Sequence, residues 1–193
     1  MGGVPSGSKD RIAAVSSELL SRRGYNGMGL KAVSEAAELP FGSIYHHFPG
    51  GKEEIAGAAI TSIGEVVGDL LRSLFASSET PEVALRAMFA FMAQRLERSD
   101  WTAGCSVGTP AQDGPSDSEV VRLACDDALG RMVGAVADGL TGHGVPRLRA
   151  DELATTVIAA YEGATLMARV QRSTQPLDRT VEAMVGLVEF ARR

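Results

Sequence analysis

Gly-Leu-Lys-Ala-Val-Ser-Glu-Ala-Ala-Glu-Leu-Pro-Phe-Gly-Ser-Ile-Tyr-His-His-Phe-Pro-Gly-Gly-Lys-Glu-Glu-Ile, residues 29–55, divides into two short helices, a tight turn and the start of a third helix. Leu30, Val33 and Ala37 recur at helical spacing, Pro40 interrupts the run, and Phe41, Ile44 and Phe48 resume it. Two small amphipathic helices can therefore pack on one core. The opposite face of the second carries Gly42, Ser43, Tyr45 and His46, and Lys52 follows at a helix start. Small residues, hydroxyls and an imidazole on the solvent side of a helix suit a DNA major groove, whose base edges offer donors, acceptors and methyl groups.

On the N-terminal side, a first helix is expected over 8–22, with Ile12, Val15 and Leu19 at core spacing and Gly24 just past its end. On the C-terminal side a long helix over 52–75 carries Ile55, Ala59, Ile63, Val66, Val67, Leu70, Leu71 and Leu74. Thr80-Pro81-Glu82 reads as a cap followed by proline at the first helical position, and opens a helix to residue 98 with Leu85, Met88, Phe89, Met92 and Leu96 inward. Residues 100–117 are irregular, with a short helix around Cys105. Another helix runs over 116–140 and stops at Gly142-His143-Gly144-Val145-Pro146. Two more follow over 150–173 and 177–192, separated by Gln175-Pro176. Leu153, Val157, Tyr161, Ala164 and Met167 line one face of the first of these, interleaved with Ala159, Ala160, Gly163 and Ala168. The pattern is all-α, with about nine helices.

The chain has 193 residues, 45% of them apolar and only 5% aromatic, which is enough for a sizeable core and poor in strand-forming runs. No apolar run approaches the roughly 20 residues of a membrane span, and the N-terminus lacks the basic-then-apolar pattern of a secretory signal, so a cytoplasmic protein without a membrane partner is expected. The Gly/Ser/Pro-rich residues 1–8 read as a flexible arm or in part a vector-derived remnant. Met1-Gly2 with Ser6 fits a myristoylation pattern in form, which Pro5 disfavours. Net charge is −5, an odd balance for a DNA binder. Its distribution is uneven: residues 1–52 hold six Lys or Arg against four acids, and residues 53–193 hold thirteen against twenty. Phosphate affinity therefore belongs to the N-terminal end, whose charge of +2 is modest and would be doubled in a dimer.

Residues 29–55 and their flanks resemble the DNA-binding domain of the TetR family of bacterial transcriptional regulators. Arg22-Arg23-Gly24-Tyr25 is similar to the end of that family's first helix, Ile44-Tyr45-His46-His47-Phe48 to its recognition helix, and Lys52-Glu53 to the start of its fourth. The Pro49-Gly50-Gly51 insertion resembles the LmrA/YxaF-like branch, as does the region from Glu162-Gly163-Ala164 through Arg169 to Leu177. The resemblance implies a helix-turn-helix DNA-binding domain over 9–56 and a ligand-binding and dimerisation domain over 57–193. It implies a dimeric regulator, most often a repressor, that binds a palindromic double-stranded operator and is released by a small molecule. The DNA-contacting positions carried over are Gly29 and Lys31 at the second helix, Phe41, Gly42, Ser43, Tyr45 and His46 on the recognition helix, and Lys52. Four of this chain's residues depart from the pattern. Met28-Gly29 stands where most members have Thr-Ser, which removes a side-chain N-cap at a cost of a few tenths of a kcal/mol. Phe41 stands where Lys is common, and Pro40 where Ser or Thr is.

Tyr45 and Lys52 are expected on phosphates, beside the partial positive charge of a helix N-terminus. His46 can donate to guanine or phosphate, while His47 packs or braces the turn. Phe41 lies on a thymine methyl if it is exposed and joins the core if it is not. Met88, Phe89, Met92, Trp101, Cys105, Met132 and Met167 either line a cavity for an apolar or aromatic effector or are ordinary core. Ala160, Gly163, Ala164, Met167, Val181, Met184 and Val188 are expected at a homodimer interface built from the last two helices, the alternative being intramolecular core. Cys105 and Cys125 have no Cys-x-x-Cys spacing and read as free buried thiols, with a redox switch as the alternative. No metal-ligand spacing, phosphate loop or nucleophile elbow is present, so neither a metal, a cofactor nor catalysis is expected. The rival reading is a helical small-molecule binding or enzymatic bundle with a vestigial head.

Overall fold

The computed structural model describes residues 7–192. Among them the chain forms nine α-helices and no strand: α1 Ser8–Gly27, α2 Leu30–Ala37, α3 Phe41–His47, α4 Gly51–Ser77, α5 Pro81–Arg98, α6 Gly108–Ala111, α7 Glu119–Gly142, α8 Arg147–Gln171 and α9 Gln175–Ala191. A 3-10 turn, Gly114–Ser116, lies between α6 and α7. The all-α expectation holds. Of the arm expected over 1–8, residues 1–6, and with them the myristoylation pattern, lie outside the described residues, and Ser8 already opens α1. No helix among the described residues is long and apolar enough to cross a membrane.

The chain forms two compact units. The first takes residues up to Gly64 together with Ser106–Ala128, and the second takes Glu65–Cys105 and Leu129–Arg193. Packing therefore does not follow the linear division at residue 56, because a segment from the middle of the sequence joins the N-terminal helices.

In the first unit α1 packs on α2, α3, α6 and the 3-10 turn. Its buried stripe is Ile12, Ser16 and Leu20, with Val15 and Leu19 only half-buried. A small polar residue at the centre of that stripe hides it from an apolar pattern. The regular part of α1 ends where expected, at Gly24, whose φ of 68° no side chain adopts easily. Helix α2 buries Val33 and Ala37 and stops at Glu38, which takes the left-handed conformation. Pro40 then presets the entry to α3, which buries Ile44, and Phe48 at its end is buried too. In α4 the buried apolar side chains here are Ile55, Ala56, Ala59 and Ile60. A Cβ on Gly57 would come within 2.8 Å of Val120, and one on Gly64 within 2.6 Å of Ala128, so α4 and α7 approach along small residues.

In the second unit α5, α8 and α9 pack on one another. Leu85, Met88, Phe89, Met92 and Leu96 meet a core that includes Leu153, Val157, Tyr161, Val181, Met184, Val185 and Val188. Phe89 and Tyr161 stack edge to face, their centroids 5.2 Å apart. The expected cap is present: Thr80 Oγ1 accepts the Val83 N–H at 3.3 Å, with Pro81 at the helix start. Three expectations are corrected. Val66 and Leu70 of α4 are exposed, because α4 is apolar over more of its circumference than its neighbours cover. The short helix lies at Gly108–Ala111, past Cys105. Gln175-Pro176 opens α9 instead of separating helices, since proline lacks only an N–H that the first turn leaves unpaired anyway.

Candidate nucleic-acid interface

The apolar anchors of α3 decide which of its side chains reach solvent. With Ile44 and Phe48 fully buried, Phe41 (45% exposed), Gly42, Tyr45 (47%) and His46 face outward, while Ser43 and His47 are half-buried. Phe41 and Tyr45 lie one turn apart with ring centroids at 5.8 Å, and together form an exposed aromatic ledge. Phe41 is thus not core, which closes that alternative. Around Gly42 no heavy atom lies within 4 Å of the place a Cβ would occupy. The His46 and His47 rings meet edge to face at 5.2 Å.

The turn into α4 is built on Gly51, whose φ is 66°, and the Tyr45 ring lies 3.6 Å from where its Cβ would be. Glu54 turns back and accepts the Gly50 N–H at 2.8 Å, so a residue of the first turn satisfies a donor upstream of the helix. Lys52 is half-buried. Its Nζ lies 4.3 Å from the Tyr25 ring centroid and donates to the Asn26 carbonyl at 3.4 Å, which puts the ammonium where the end of α1 meets the start of α4. Gly29 is the N-cap of α2 without any side-chain cap, and Lys31 is fully outward, 3.9 Å from Glu35 in an exposed pair that contributes little.

Sequence reasoning missed the residues that brace this face. Asp113 Oδ1 accepts the Tyr25 N–H at 2.9 Å and its Oδ2 accepts the Asn26 N–H at 2.8 Å. Ser118 caps α7 by accepting the Val121 N–H at 3.1 Å, and its hydroxyl donates to Glu53. Burial, and then the Glu53 carboxylate, hold the Tyr25 phenol above its ordinary pKa. Only the capping role of Ser118 had a sequence signal, as part of Ser116-Asp117-Ser118-Glu119.

Residues 12–59 match the model of the bacterial regulatory proteins of the tetR family. Residues 81–183 match that of the LmrA/YxaF-like transcriptional regulators, C-terminal domain. The chain belongs to the TetR family. It is similar to the HTH-type transcriptional regulator LmrA of Bacillus subtilis, 28% identical over 170 residues that cover 88% of this chain and 90% of LmrA. It is also similar to the HTH-type transcriptional repressor NemR of Escherichia coli K12, 25% identical with 94% of each chain covered. Among solved structures, a cysteine mutant of the TetR family regulator CifR in complex with 26-base-pair operator DNA superposes with a TM-score of 0.78 at 21% identity, covering 95% of this chain and 98% of that one. This chain is a TetR-family DNA-binding transcriptional regulator.

The other sites expected of this TetR-family chain fall in the second unit. Met88, Phe89, Met92, Cys105 and Met132 are buried, Trp101 is half-buried, and Met167 is 53% exposed and so stands apart from the rest. A cavity of about 310 Å³ in the same unit is lined by Arg72, Phe75, Ala135, Asp138, Gly139 and His143, among others, and by none of the seven. Beside Cys105 lies Glu162, which the sequence marked only as part of the family resemblance: its carboxyl is hydrogen-bonded to the Cys105 thiol, its Oε1 is buried without a partner, and its pKa is raised by burial. Of the seven dimer candidates, Gly163 and Met167 face outward and Ala160 is half-buried. Ala164, Val181, Met184 and Val188 belong to the chain's own core, because the stripe of α9 that carries the last three is spent on α5 and α8. The outward face of α8 and α9 continues instead through Leu166, Val170 (76% exposed), Leu187 and Phe190 (69%).

Proposed function

We propose that this regulator is a homodimeric repressor that binds a palindromic operator through Phe41, Gly42, Ser43, Tyr45 and His46, with Gly29, Lys31 and Lys52 on flanking phosphates, and is released by a small molecule. The observation that carries the DNA-reading face is the exposed Phe41–Tyr45 ledge on a helix held from beneath by Ile44 and Phe48. Phe41 supplies an apolar surface for a thymine methyl, Tyr45 a phenol for a phosphate, and His46 a donor for guanine. Gly42 lets the helix backbone come close to the base edges. The ammonium of Lys52 keeps protons for a phosphate beyond the one it gives to Asn26.

Two such faces must meet successive major grooves about 34–36 Å apart, which requires a dimer. The exposed apolar face of α8 and α9, running through Gly163, Leu166, Met167, Val170, Leu187 and Phe190, supports that role. In function residues 9–56 read DNA, and residues 57–193 carry the dimer face and the effector site. An apolar or aromatic effector among Met88, Phe89, Met92, Trp101, Cys105 and Met132 would exploit adaptable methionines, and release requires only that it prefer a conformation unfit for the operator. The repressor NemR supports the sign of regulation. The protein acts on DNA in the cytoplasm and catalyses nothing.

The test is operator affinity in variants. Tyr45→Phe and Lys52→Ala should weaken every duplex alike, Lys52→Ala by about tenfold with a shallower salt dependence. Phe41→Ala and His46→Ala should change which sequence is preferred. Equal sequence preference in both of the latter would contradict base reading by α3.

A further inference from the structure

Asp113 makes a contact that the DNA-reading role of α3 does not by itself require. Its carboxylate bridges two consecutive backbone N–H groups, Tyr25 at 2.9 Å and Asn26 at 2.8 Å, across a separation of 88 residues for the first. Those amides belong to the turn that follows the kink of α1, and this turn leads within a few residues to Gly29, the uncapped start of α2. The kink fits the carboxylate closely: at Gly24, with φ of 68°, a Cβ would lie 2.7 Å from Asp113 Oδ2. On the other side of the turn Lys52 donates to the Asn26 carbonyl, so Asn26 is held through its N–H by an anion and through its C=O by a cation. The neighbouring residues of Asp113 are fixed as well. A Cβ on Gly114 would come within 2.4 Å of Val121 and 3.2 Å of Tyr25 Cβ, and Ser118 joins α7 to Glu53 in the first turn of α4.

We propose that Asp113 is a positioning residue for operator binding: by accepting the Tyr25 and Asn26 N–H groups it fixes the turn from which α2 starts, so that the segment Ser106–Ala128 sets the affinity of the α2–α3 face for DNA. This rests on the DNA-binding reading of that face. The physical ground is the strength of a two-point bond from an ionised acceptor, together with the absence of any side-chain cap on α2 that could hold the turn instead. A ligand or partner that moves this segment therefore acts on the turn directly, without touching α3.

The test uses the full chain and the duplex that the wild type selects from a random pool. Asp113→Ala should bind the same sequence about tenfold more weakly, at a temperature where circular dichroism shows it fully folded, with the salt dependence unchanged because no phosphate contact is lost. Asp113→Asn, which keeps one acceptor oxygen and the side chain's volume, should fall between and covers the case in which the alanine variant folds poorly. Gly24→Ala, which pushes on the carboxylate from the other side, should weaken binding too, and combined with Asp113→Ala the losses should be less than additive. Hydrogen exchange at Tyr25 and Asn26 should accelerate in each variant. Wild-type affinity in folded Asp113→Ala and Asp113→Asn, or a loss that only tracks the unfolded fraction, overturns the proposal alone. A wild type that selects no duplex overturns the DNA-binding reading and the proposal with it.

Discussion

At the scale of single residues, burial sets the chemistry of Cys125 and Glu162. Burial, with the Asp113 carboxylate adding to it, pushes the Cys125 thiol up to about 11. Since the thiolate is the nucleophile, Cys125 is a poor redox centre at neutral pH, which weighs against the switch alternative for that residue. Glu162 is shifted in the same direction: burial raises the pKa of its carboxyl beside the Cys105 thiol, with Oε1 unpaired. Its folded pKa lies above its unfolded one, so its contribution to stability is fully present below the ordinary glutamate range and is lost as pH rises through the raised value. Thermal melting from about pH 4 upward should therefore show the wild type losing stability relative to Glu162→Gln. Parallel melting curves for the two proteins across that range would show that the carboxyl is not held in its neutral form.

At the scale of elements, α2 and α3 were legible because their apolar residues keep helical spacing on both sides of Pro40, and that period put Gly42, Tyr45 and His46 outward; it also counted Phe41 with the inward run and Ser43 with the outward face, where the structure exposes Phe41 and half-buries Ser43. The stripe of α1 was not legible, because Ser16 occupies its centre. Val66 and Leu70 misled for the converse reason: α4 has more apolar circumference than it buries, and periodicity cannot say which side is covered. The same ambiguity put Val181, Met184 and Val188 at a dimer interface when α5 and α8 cover them. Asp113 had no signal at all, since its partners are backbone amides far away in sequence. The exposed α8–α9 face that remains gives a direct expectation. Gly163 has open space where a Cβ would go, so Gly163→Glu should leave the fold intact while burying a charge in any interface there. Sedimentation should find monomers, and a dimer of unchanged stability would move the interface elsewhere.

At the scale of the whole molecule, the sequence is acidic but its N-terminal 52 residues are not, and these contain the exposed ledge of α3 together with Lys31 and Lys52. The modest positive charge of residues 1–52 is doubled only when two chains engage one duplex, so in the proposed dimer DNA binding and dimerisation would be linked in energy as well as in geometry. The TetR-family assignment makes the chain a DNA-binding transcriptional regulator, and its own Phe41, Pro40 and Gly29 make the sequence it reads a matter for measurement. The measurement that tests the account most directly is selection of duplexes by the purified full-length protein from a random pool, with affinity for the recovered sequence followed against salt. The account predicts one common sequence with two-fold symmetry, its half-sites about 10 base pairs apart, and an affinity that falls steeply as salt rises. Recovery of no common sequence, or an affinity indifferent to salt, would contradict it.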